Sequence, residues 1–124
     1  MAPNGVATTG LWLFRLCSSW ADPKVAGKLS TPVSVFPEAA KARFRSQLTA
    51  LPDDIEVLPL RELSWLMADL QQRHRTGGRT MSALTVEALA AAHRLNAGIA
   101  VSRLDIGPSL LAAADADGVP FFAL

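Results

Sequence analysis

The chain offers few side chains for chemistry, and their spacing narrows the choices. Its two histidines, His74 and His93, fall on different elements, with no cysteine or further histidine at ligand spacing. A metal site built on imidazoles is therefore not indicated. His93 lies seven residues after Val86 and close behind Leu89 and Ala90, on the apolar stripe of its helix, and reads as a packed or partner-facing residue. The single thiol, Cys17, has no histidine beside it to favour the thiolate, so nucleophilic catalysis has no support there. Gly77-Gly78 follows a helix instead of joining a strand to one and lacks a Lys-Ser/Thr sequel, which excludes a phosphate loop of the usual type. The acids remain. Glu87 suits the positive end of a helix dipole, and Asp105 suits a turn ahead of Pro108. Asp115 and Asp117 come late in the last helix, where they are expected to face solvent.

The elements that must hold these residues are best punctuated toward the C-terminus. A helical run from Ser82 to Leu95 is followed by Asn96-Ala97-Gly98, and Gly98 is expected to take the left-handed conformation that closes the helix. The short apolar strand Ile99 to Ser102 comes next. Pro108 opens another helix, Gly118 stops it, and Val119 to Ala123 reads as a final strand. Alternating helices and strands with short loops predict an α/β domain, with a short, mainly parallel sheet flanked by helices.

Upstream, the signals are mixed. The apolar run Leu11 to Cys17, broken by Arg15, is too short to span a bilayer and lacks the flanks of a signal peptide, so it is expected to be a strand or short helix. Ala21 to Pro32 reads as a loop and Val33 to Phe36 as a short strand. From Glu38 to Leu51 the positions Ala40, Phe44, Leu48 and Leu51 form one helical stripe; Ile55 to Leu58 then alternates like a strand. A second amphipathic helix runs from Leu60 through Leu63, Leu66, Met67 and Leu70 until Gly77-Gly78 ends it. This reading separates a poorly legible segment, residues 1–34, from a core over 35–124.

Composition sets the outer bounds. With 124 residues, half of them hydrophobic, the chain can bury a core and is not a disordered one. The formal charge of +1 conceals two basic clusters, Lys41, Arg43 and Arg45, and Arg73, His74, Arg75 and Arg79, beside an acidic group of Asp53, Asp54 and Glu56. Arg73, His74 and Arg75 close a helix, where cations meet the negative end of its dipole; the alternative is contact with nucleic acid. One cysteine permits no intrachain disulfide, which fits a reducing cytoplasm. Trp12, Trp20 and Trp65 suggest an interface, covered by a homodimer or a bound protein.

From Glu38 onward the order of elements resembles the PIN domain, the nuclease fold of VapC-type toxins from toxin-antitoxin pairs. IEVLPL is similar to the family's strand and Pro-flanked turn, HRTGGRTMS to its basic, Gly-containing loop, VEALAAAHRLNAGIAV to the helix opened by an acid and the strand after it. SRLD stands where the family has a hydroxyl residue followed closely by an Asp, and LLAAADADGVPFF resembles the closing helix and strand. The resemblance implies a small three-layer α/β fold and a metal-dependent endoribonuclease, toxin-like and cytoplasmic. Glu87, Asp105 and an early-helix acid, for which Glu38 is the candidate, would then hold Mg²⁺ or Mn²⁺. Hard divalent ions prefer oxygen ligands and make a bound water easier to deprotonate. Glu87 and Asp105 are the catalytic candidates; Arg73, Arg75, Arg79 and Ser102 would face the RNA.

The sequence departs from the family at its start. The family opens with a hydrophobic strand ending in Asp; LWLFRLC supplies none, and Asp22 follows only after a break. Glu87 also carries one more methylene than the usual Asp. A second reading follows from these departures: a non-catalytic PIN-like module that binds a protein, an antitoxin or a second copy. Catalysis requires Asp22 or Glu38 to converge with Glu87 and Asp105.

Overall fold

Proline and glycine divide the chain into short elements, and the elements gather in two compact units that separate between Val57 and Leu58. The computed structural model describes residues 6–21, 37–51, 53–103 and 106–124. Among these, the chain is mixed α/β, with its strands in two separate two-stranded sheets.

In the N-terminal unit a strand, β1 (Val6–Thr9), runs directly into helix α1 (Gly10–Ala21). The Leu11 to Cys17 run is thus helical, and the strand is the Val-Ala-Thr-Thr ahead of it, which carries no alternation of apolar and polar residues. Helix α2 (Glu38–Ala50) starts after Pro37, and strand β2 (Ile55–Leu58) ends at Pro59 and pairs with β1. Beyond Ala21, the expected loop to Pro32 and the expected strand Val33 to Phe36 lie outside the described residues.

The C-terminal unit holds α3 (Leu60–Thr76), α4 (Ala83–Leu95), β3 (Ile99–Val101), α5 (Pro108–Ala116) and β4 (Phe121–Ala123). β3 and β4 are parallel, with Ile99 opposite Phe121 and Val101 opposite Ala123; α5 makes the crossover that parallel pairing requires. The core collects Leu58, Leu63, Leu70, Met81, Val86, Leu89, Ala90 and Ala113. Leu63 and Leu70 on α3 lie seven residues apart, and Val86, Leu89 and Ala90 on α4 three and four apart, the spacings that line one helix face; Leu58 joins them from β2 and Met81 from the loop before α4. Among the described residues no helix is long and apolar enough to cross a membrane.

All three helices of this unit end in the same way. A residue with positive φ, Gly78 (84°), Asn96 (50°) or Gly118 (67°), turns the chain, and the next N–H reaches back to the helix: Arg79 to the His74 carbonyl (2.8 Å), Ala97 to Ala92 (3.0 Å), Val119 to Ala114 (2.9 Å). These are Schellman closures, which satisfy carbonyls otherwise left bare. Asn96, not Gly98, therefore makes the left-handed turn after α4; a short polar side chain tolerates that backbone.

Gly98 has a different reason to be glycine. A Cβ there would lie 2.8 Å from Phe122 Cε2 and 3.1 Å from the Pro120 carbonyl oxygen, which itself accepts the Ile99 N–H at 2.8 Å. Gly98→Ala should push the two strands apart, lowering stability by about 1–3 kcal/mol, the usual cost of overpacking. Urea denaturation followed by far-UV circular dichroism would show a lower midpoint.

Candidate functional site

A connected polar group in the C-terminal unit is built on the last turns of α3, α4 and α5. On α3, His74 follows Leu70 by four residues, so it continues the buried stripe and its side chain is 0% exposed. The Gly77-Gly78 turn folds Arg79 back, and the guanidinium Nε–H donates to His74 Nδ1 at 2.7 Å. An imidazole nitrogen that accepts cannot carry the proton, so the neutral ring holds it on Nε2. That Nε2 lies 3.1 Å from Asp117 Oδ1, in close contact but without the alignment of a full hydrogen bond.

Asp117 is the residue that caps α5, and its side chain is only 7% exposed. The expectation that it faces solvent is incorrect: the turn at Gly118 directs it inward, onto the ends of α3 and α4. Its Oδ2 accepts from Arg73 Nη2 at 2.6 Å and from His93 Nε2 at 2.7 Å. His93, in the last turn of α4, is thus the polar partner that its place on the apolar stripe did not disclose. A carboxylate at a helix C-terminus meets the negative end of the dipole, an unfavourable position unless cations and donors surround it. Burial by itself would raise the Asp117 pKa; the hydrogen bond from His93, the close Nε2 of His74 and the charge of Arg73 outweigh it and hold the carboxyl below its ordinary 3.8. Both oxygens are engaged, and among the described residues no group of three or more His, Cys, Asp or Glu side chains is placed to hold a metal ion. The arrangement fastens three helix ends.

The residues singled out for chemistry are distributed differently. Glu87 is the fifth residue of α4, one turn further in than a helix-opening acid; the N-terminus is capped instead by Ser82, whose Oγ accepts the Thr85 N–H at 3.2 Å. Its side chain sits in the core at 0% exposure. Ser102 follows β3 and is exposed, while Asp105 and Asp22 lie outside the described residues. Glu38 begins α2 in the N-terminal unit, where it is exposed and accepts from Lys41 Nζ at 3.2 Å. Of the three arginines expected to face RNA, Arg73 is held by Asp117 and Arg79 by His74; Arg75 is exposed. β1 ends in Thr8-Thr9 and carries no acid. Comparisons with protein-family models, curated proteins and solved structures found no match.

Proposed function

We propose that this chain is a PIN-like α/β module that acts by binding protein and not by cutting RNA. The observation that carries the reading is the end of β1. The resemblance requires an Asp at the end of an early strand, and β1, the strand described ahead of α1, ends in Thr8-Thr9. A hydroxyl is a neutral and far weaker ligand for Mg²⁺ or Mn²⁺ than a carboxylate, and octahedral Mg²⁺ on one or two remaining acids binds weakly. The full burial of the Glu87 side chain supports the same reading, because a phosphodiester must reach the metal. The outer face of α3 offers a surface for binding: Trp65 is 85% exposed, and tryptophan is among the side chains most enriched at interface hot spots.

One observation favours the nuclease reading. The order α4, β3, α5, β4 follows the resemblance closely, which makes Glu87 and Asp105 its remaining ligand candidates. Titration calorimetry with Mg²⁺ and Mn²⁺ separates the two. No saturable heat is expected from the wild-type chain. Saturable binding that disappears in the Glu87→Ala, Asp105→Ala double variant would overturn the binding-module reading and restore a metal-dependent ribonuclease.

A further inference from the structure

α3 has a second face, and its chemistry is self-complementary. Leu63, Leu70 and His74 turn inward, whereas Arg61, Trp65 and Asp69 are exposed and spaced four residues apart. Such a row is a ridge on the helix surface, the kind that packs beside the equivalent ridge of a second helix crossing at about −50°. Beside it runs the row Leu60, Ser64, Ala68 and Gln72, all exposed, with the two small side chains at its centre. Small residues there leave a shallow trough next to the indole. Arg61 and Asp69 form no ion pair or hydrogen bond with any described residue.

Resting on the reading of this chain as a protein-binding module, we infer that α3 docks against α3 of a second copy, antiparallel, about a twofold axis beside Trp65. The charges select this occupant. Arg61 lies one turn before Trp65 and Asp69 one turn after, each about 6 Å along the axis at 1.5 Å per residue. A twofold axis at Trp65 reverses the order, placing Arg61 of each copy level with Asp69 of the other. Two ion pairs then flank the two indoles, and each indole lies over the partner's Ser64 and Ala68. An isologous contact of this kind closes as a dimer and leaves no open end. One helix pair is a small interface, below the roughly 1,200 Å² of stable complexes, so association is expected on the order of 10–100 µM.

Sedimentation velocity of the full chain over a concentration series tests this. Wild type should shift from monomer to dimer, and Trp65→Ala should weaken association at least about tenfold. Arg61→Glu alone and Asp69→Lys alone each set like charges opposite one another and should weaken it as well; the double variant exchanges the signs and should restore it. Circular dichroism confirms that each variant is folded. A wild-type chain that stays monomeric overturns the inference, as does a dimer indifferent to Trp65→Ala or a double variant that fails to recover. The binding-module reading fails separately, on saturable metal binding, which these measurements do not address.

Discussion

Asp117→Ala is expected to destabilise the C-terminal unit by about 2–4 kcal/mol, although the residue lies at the end of a helix where an acid usually contributes nothing. The loss has two parts. His74 Nε2, fully buried, would lose the carboxylate oxygen that faces it at 3.1 Å, which costs at most about 1–3 kcal/mol because that contact is not a well-aligned hydrogen bond. The bonds from Arg73 and His93 also disappear, but Arg73 is 58% exposed and returns to water, so its share is small. Asp117→Asn keeps one acceptor oxygen and should lose less. Urea unfolding monitored by far-UV circular dichroism gives the comparison. The same residue sets a pH dependence. Its carboxyl pKa is lowered in the folded chain, so the unfolded chain takes up the proton first as pH falls. Its contribution is complete above the ordinary value of 3.8 and is lost as pH drops through the lowered folded value. Asp117→Asn should lack that acid-side decline.

Leu89→Ala is expected to cost about 3–4 kcal/mol, within the range for fully buried leucines. Leu89 is completely buried in α4 and shares its core with Ala90 and Ala113. Alanines have no side-chain torsion with which to fill a void, so the cavity should persist; among its neighbours Met81 is the most adaptable. Leu111→Ala on the exposed side of α5 serves as the control, with an expected change below about 1 kcal/mol. A Leu89→Ala variant with nearly unchanged stability would mean that the helices close over the gap.

Most elements were legible because single residues mark their ends. Pro37, Pro59 and Pro108 start helices, Gly77-Gly78 and Gly118 end them, and the apolar spacing between is regular. β1 was missed because Val-Ala-Thr-Thr is four residues long and shows no alternation, next to a far more apolar run. Among the described residues the strands form two pairs, and which strands pair depends on tertiary packing that short strands do not encode. Asp117 was misread for a different reason. Its partners lie 24, 43 and 44 residues away, and periodicity within α5 carries no information about them. A usable signal did exist on the other side of the contact. His74 extends the series Leu63, Met67, Leu70 at helical spacing, and a polar residue on a buried stripe requires a partner.

The exposure of Trp65 also determines what light can report. The C-terminal unit contains no tyrosine and no other tryptophan, so its near-ultraviolet emission comes from this one indole. At 85% exposure the ring already senses water, and unfolding changes its surroundings little. Emission from this unit should therefore be almost silent on melting, whatever happens to the Asp117 or Leu89 contacts. Covering the same ring against a second chain should shift the emission to shorter wavelength, making this fluorophore a probe of assembly and a poor one of folding.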